Sequence, residues 1–289
     1  MIRSEHMTIQ WFPGHMAKAR RQIEEKLKLI DLVIELLDAR APLSSQNPMI
    51  NDIIQQKPKI VILMKSDLAD HEETKKWLTY FQQQDVQAIA INVNNANHIQ
   101  QAIELIHTYG EATRQRYAAK GIQSRPVRAT VLGIPNVGKS SFINRVAKRK
   151  VADTGDRPGV TRHQQWIKVN QSVQLLDTPG ILWPKFEDQL VAKRLAAIGT
   201  IKDNLLSIED IAAFVLEFLR NHYPALLTER YGLEQEMEDM WEIFDHIGRK
   251  RGALMSGGKV DFEKVANIVL RDLRTGRLGN ITLETVQDI

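Results

Sequence analysis

Through the first 180 residues, short apolar runs alternate with stretches whose apolar positions recur at helical spacing. DLVIELLDA (31–39), KIVILM (59–64), VQAIAIN (86–92) and VRATVLG (127–133) are rich in β-branched residues and bounded by turn or charged residues. That pattern predicts strands buried on both faces. HEETKKWLTYFQQQ (71–84) and the stretch 97–120, with Ile99, Ile103 and Ile106 on one stripe, predict helices between them. The alternation predicts an α/β fold, a doubly wound and mostly parallel sheet covered on both faces. HQQWIKVN (163–170) and VQLLD (173–177), separated by Gln171-Ser172, predict a hairpin at one sheet edge.

After Gly180 the period changes. Ile208, Ile211, Ala212, Val215, Leu216 and Leu219 fall at helical spacing behind Ser207, with Asp210 three residues on as in a capping box. Met237, Met240, Trp241, Phe244 and Ile247 repeat the stripe, and residues 261–274 turn Phe262, Val265, Val269 and Leu273 inward. All three stripes are expected to be core. The expected organisation is an α/β domain at 1–183, a connecting segment at 184–204 and a small all-helical domain at 205–289.

Composition narrows the partners. With 289 residues, 43% apolar and 26% charged, the chain can bury a sizeable core and make two domains. It has no cysteine, which excludes disulfides and thiolate metal sites. The start has no apolar core of signal-peptide length, and no segment approaches the roughly 20 apolar residues needed to span a bilayer. The expectation is a cytoplasmic protein with no membrane partner, beginning at Met1 or Met7. Residues 1–180 carry 25 Lys+Arg against 17 Asp+Glu, whereas the remainder carries 14 against 18. The excess gathers at Lys18–Lys28, Arg114–Arg128 and Lys148–Lys150, which favours a polyanionic partner.

GIPNVGKS at 133–140 follows a predicted strand and opens a predicted helix, the setting in which a glycine loop and a helix N-terminus cradle phosphates. The loop's Asn136, Val137, Gly138, Lys139, Ser140 and Ser141 are candidate nucleotide contacts, with Lys139 for the β- and γ-phosphates and Ser140 for Mg²⁺. DTPG at 177–180 ends an apolar strand. Asp177 there would reach the metal through water, and the Gly180 N–H would bind the γ-phosphate. Between the two, Thr161 in RPGVT is placed as a second hydroxyl on Mg²⁺.

Upstream, VILM breaks into Lys65-Ser66-Asp67, and a carboxylate there accepts guanine's N1–H and N2–H. Asn92-Val93 would form the second base loop. The pieces of a GTP site are all present, with the base-reading loops ahead of the phosphate loop rather than after it. A doubly wound sheet tolerates that rotation, because chain ends lie at its surface.

This order, together with WFPGHMAKARRQ (11–22) and LLDARAPLSSQNP (36–48), resembles the circularly permuted GTPases of bacterial ribosome biogenesis. The resemblance implies GTP hydrolysis coupled to late maturation of the large ribosomal subunit by a monomeric protein, and a helical C-terminal domain that contacts ribosomal RNA. Arg249, Lys250 and Arg251, with Arg271, Arg274 and Arg277, are the candidate RNA contacts. A GTP-dependent scaffold without useful turnover would need the same phosphate loop, and an ATP-using enzyme is disfavoured by Asp67.

Three positions depart from the usual pattern. Met64 stands where the base-reading motif has asparagine, and Val93 where relatives often have serine. Ile181 follows DTPG where a water-orienting glutamine is usual, so the resemblance points instead to His15, with His163 a weaker candidate. Asn136 matches the phosphate-loop asparagine of potassium-activated relatives, which implies K⁺ as a second cation.

Overall fold

The computed structural model describes residues 24–54, 57–119, 121, 125–152, 165–178, 188–201, 207–234 and 237–288. His15, Thr161, His163, Gly180 and Ile181 lie outside them. The elements are β1 (Leu32–Asp38), α1 (Pro48–Ile54), β2 (Lys59–Met64), α2 (His71–Gln83), β3 (Gln87–Ile91), α3 (Ala96–Ala118), β4 (Val127–Gly133), α4 (Lys139–Val146), β5 (Gln165–Lys168), β6 (Val173–Asp177), α5 (Gln189–Ala197), α6 (Ile208–His222), α7 (Pro224–Tyr231), α8 (Met240–Arg251) and α9 (Phe262–Arg274).

Among the described residues six strands form one sheet in the order β3-β2-β1-β4-β6-β5. The first five are mutually parallel, and β5 closes the edge antiparallel to β6, as the hairpin pattern predicts. β1 is buried at all seven residues because it has a parallel neighbour on each side and is covered above and below. Strand order reverses between β1 and β4, so their carboxyl ends flank the crevice where such sheets bind ligands. Asp38, Lys65, Asn92, the 133–140 loop and Asp177 all lie at that edge.

Helix boundaries follow local chemistry. Asp70 caps α2 by accepting from the Glu72 and Glu73 N–H groups, and Ser207 Oγ caps α6 by accepting from the Asp210 N–H at 3.2 Å. α5 falls within the segment that the sequence suggested was a connector, and α1 and α7 are further helices without a clear periodic signal. Trp241 corrects the second stripe, since it is 70% exposed. The α8 face that packs inward carries Ile243, Phe244, Ile247 and Gly248 instead, leaving Trp241 edge-on to Phe262 with ring centroids 4.7 Å apart.

The helices after α5 share an apolar core with the sheet, through Leu195 and Ile198 as well as Val215 and Val269. Residues 281–286 then run back over the α/β half. The Leu283 N–H donates to Arg40 O (2.7 Å), the Ser44 N–H to Glu284 Oε1 (2.8 Å) and Trp77 Nε1 to Glu284 O (3.1 Å). Val286 packs on the second apolar cluster, around Leu37, Trp77 and Phe81.

Among the helices, Asp272 is fully buried and organises its surroundings. Its Oδ2 accepts from Arg230 Nε at 2.8 Å and from the Tyr231 hydroxyl at 3.1 Å, and Arg251 approaches to 3.6 Å. Burial pushes the Tyr231 hydroxyl well above its usual range, and the Asp272 carboxylate adds to the shift. Asp272→Ala would strand these cations and is expected to cost about 3–5 kcal/mol. Urea unfolding monitored by circular dichroism checks this, and a loss below about 1 kcal/mol would show that the cluster is dispensable.

Candidate functional site

β1, β2 and β6 each end their apolar run in a charged residue at the same sheet edge, and these charges build the site. Asp38 is fully buried. Its Oδ1 accepts from Arg40 Nε (2.9 Å), and its Oδ2 accepts from Arg40 Nη2 (2.8 Å) and Lys65 Nζ (2.9 Å). Burial alone would raise the Asp38 pKa, but the Arg40 guanidinium and Lys65 ammonium overcome it and hold the carboxyl far below the usual carboxylate range. Burial likewise opposes the charge on Arg40, whose pKa is nevertheless raised by Asp38 and, from further away, by Asp67.

Lys65 takes a left-handed backbone conformation, φ 59°, and its Nζ also donates to the Asn136 carbonyl at 2.9 Å. This bond ties the base-reading loop to the phosphate loop where Met64 has no polar group to do so. Met64 is buried, and a Cβ added at Gly138 would lie 3.1 Å from its Cε, so the thioether methyl supports the phosphate loop by contact. Ser66 N–H donates to Ile91 O, and Asp67 stands exposed at the rim. In the second base loop Asn92 Oδ1 accepts from the Asn94 N–H (2.8 Å), and Asn94 Oδ1 accepts from Arg145 Nη2 of α4 (2.9 Å). Val93 packs partly buried against the core.

The phosphate loop has positive φ at Asn136 (60°) and Gly138 (105°), the second a value that only glycine adopts readily. Gly138 is the N-cap of α4 and no side chain caps that helix, so its first N–H groups face the loop's concavity, ready for an anion. Val137 is buried beneath the loop, while Ser140 and Ser141 are half-buried on the first turn. Lys139 Nζ donates to Asp177 Oδ1 at 2.6 Å, both side chains being buried. Burial draws the Lys139 pKa below its ordinary value, with Asp177 opposing. The Thr178 hydroxyl fixes the following residue by donating to Val131 O at 2.7 Å.

Mg²⁺ suits this donor set. Ser140 and Asp177 offer the hard oxygens that Mg²⁺ prefers, a small set that phosphate oxygens and water would complete. Bound there, the ion would neutralise charge on the β- and γ-phosphates. Lys139 Nζ, held on Asp177, stands beside the same donor set.

The sheet thus brings together Lys65–Asp67, Asn92–Val93, Asn136–Ser141 and Asp177. Asp38 and Arg40 were missed as site residues by the sequence reading, although a carboxylate closing an apolar strand, as at Asp177, was the available signal.

Residues 128–250 match the family model described as a 50S ribosome-binding GTPase. The match begins on the strand before the phosphate loop and leaves the base-reading loops ahead of it. Ribosome biogenesis GTPase A of Bacillus cereus is 54% identical over 98% of this chain and 95% of its own length. The Thermotoga maritima protein of that name is 30% identical over 97% and 96%. The chain belongs to the ribosome biogenesis GTPase A family. Two solved structures of YlqF, one GDP-bound and the other, from T. maritima, GNP-bound, are each 27% identical with TM-scores of 0.66 and 0.65. They cover 93% and 94% of this chain and 100% of theirs. Membership makes the chain a P-loop GTP hydrolase of permuted motif order that binds GTP and GDP, uses Mg²⁺ and works in ribosome biogenesis. No helix among the described residues is long and apolar enough to cross a membrane.

The six basic candidates do not share one face. Arg249 is exposed and paired with Asp245 at 2.6 Å, and Lys250, Arg271 and Arg277 are also exposed. Arg251 turns inward toward Asp272 and lies over the Tyr231 ring. Arg274 departs from the expected surface role, since its guanidinium donates to the Ala196 and Ala197 carbonyls.

Asp38 carries a pH signature. Its folded pKa is depressed, so its contribution to stability is complete above about pH 4 and is lost as pH falls from there toward the folded value. Asp38→Asn is expected to cost about 3–5 kcal/mol at pH 7 by leaving Arg40 unpaired. The gap from wild type should narrow in urea titrations below about pH 4; a constant gap down to pH 2 would refute this assignment.

Proposed function

We propose that this GTPase binds the maturing large ribosomal subunit in the cytoplasm and hydrolyses GTP to GDP and phosphate in a late assembly step. The observation that carries the reading is the match of residues 128–250 to a 50S ribosome-binding GTPase, starting on the strand that delivers the phosphate loop. The protein acts as a monomer away from the particle. Residues 205–289 supply the surface for ribosomal RNA, with Lys250, Arg249, Arg271 and Arg277 as its exposed cations and Arg251 behind them.

Turnover is slow alone and rises on the particle. Ile181 has no group with which to orient water, and that task is assigned to His15 on the particle; Thr161 would offer Mg²⁺ its second hydroxyl, and the Gly180 N–H would bind the γ-phosphate. Asn136 is assigned K⁺ as a monovalent cofactor. Its Nδ2 already donates to Gly199 O at 3.1 Å, which leaves the amide oxygen as the end suited to a cation.

Replacing Lys250, Arg271 and Arg277 together by glutamate should lower co-sedimentation with large-subunit precursors, most at low salt, because phosphate contacts release counterions. Unchanged co-sedimentation at 50 and 200 mM salt would remove RNA from this surface.

His15→Ala should retain GTP and particle binding and lose most particle-stimulated hydrolysis, since positioning the nucleophile affects turnover far more than affinity. His163→Ala should change little. Full stimulated turnover in the His15→Ala protein would return His15 to a structural role.

A further inference from the structure

The carboxyl end of α5 presents four successive carbonyls, and each is taken by a side chain from elsewhere in the chain. Ala196 O accepts from Arg274 Nη2 (2.8 Å) and Ala197 O from Arg274 Nε (3.0 Å), so the last turn of α9 caps α5. Ile198 O accepts from Arg40 Nη2 (3.3 Å), and Gly199 O from Asn136 Nδ2 (3.1 Å). Two guanidinium groups at a helix C-terminus satisfy orphan carbonyls and complement the negative end of its dipole. Gly199 closes the turn at φ 82°, and a Cβ there would come within 3.3 Å of Arg274 Nε. Ile198, Thr200 and Ile201 are buried, so the turn is fixed by its packing as well as by its caps.

We infer that the 196–199 turn positions the phosphate loop, with Arg274 and Arg40 as positioning residues for guanine nucleotide. Asn136 sits in a left-handed conformation and is held at both ends, its carbonyl by Lys65 and its side-chain amide by Gly199. Arg40 links the same turn to the base-reading loop through Asp38. Arg274 therefore governs nucleotide affinity through the carbonyls it caps, although it belongs to α9. The coupling is reciprocal, so nucleotide binding stiffens the seat of α9, and displacement of α9 loosens the nucleotide. This goes beyond the ribosomal reading and requires only the nucleotide site.

A double-mutant cycle on the full chain tests it, with dissociation constants for a fluorescent GDP. Arg274→Ala and Asn136→Ala should each weaken GDP about 3- to 10-fold, the range of one lost hydrogen bond. In the double variant the two factors should fail to multiply, because both break one chain of contacts. Arg274→Lys, which keeps the charge but cannot cap two carbonyls at once, should recover part of the affinity; it replaces the alanine variant in the cycle if that protein is too unstable. Lys264→Ala, on the exposed face of α9, should bind GDP as wild type. Wild-type GDP affinity in folded Arg274→Ala, or factors that multiply, would overturn the inference. So would a loss confined to association with ribosomal particles, the result expected of a direct RNA contact.

Discussion

A buried carboxylate at the end of the central strand sets the terms for the rest of the structure. Asp38 cannot sit uncompensated in a low-dielectric interior, and Arg40 and Lys65 are the cations that reach it. Lys65 does so from a left-handed backbone, at the turn where the base-reading loop leaves β2. Arg40 does so from just past the end of β1, where its Nη2 also donates to the carbonyl of Ile198, the C-cap of α5. The position of one charge thus fixes two loops and a helix end.

The same geometry explains why a permuted chain keeps a working site. Every functional segment leaves the carboxyl edge of a parallel strand, so its place depends on strand order in the sheet rather than order along the chain. The bonds joining the base-side loops to the phosphate loop and to the helix it opens, Lys65 to Asn136 and Arg145 to Asn94, cross between segments in space and do not depend on which comes first. Met64 shows how much substitution this permits. Lys65 carries the polar tie, and the thioether fills the space beneath Gly138.

The sheet was legible in the sequence because its parallel strands are written as short, mostly apolar runs rich in β-branched residues, and VRATVLG matches β4 residue for residue. The phosphate loop was legible because its glycines and lysine follow a strand and open a helix. α5 was not, since QLVAKRLAA is short and its end is held by Arg40, Asn136 and Arg274, partners that are distant in sequence. Trp241 misled because a helical stripe specifies a face but not its width; the inward arc of α8 centres on Ile243 and Ile247 and leaves the indole outside. Arg274 looked like surface charge for a related reason, as nothing local announces which carbonyl a long cation will cap.

The strap at 281–286 has a kinetic meaning. Leu283 and Glu284 secure Arg40 and Ser44 across 240 or more positions of chain. Contacts of such sequence separation form late, because a large loop must close before they add any stability. The guanine-reading end, encoded among the earliest strands, therefore gains this support only once the strap at 281–286 has docked.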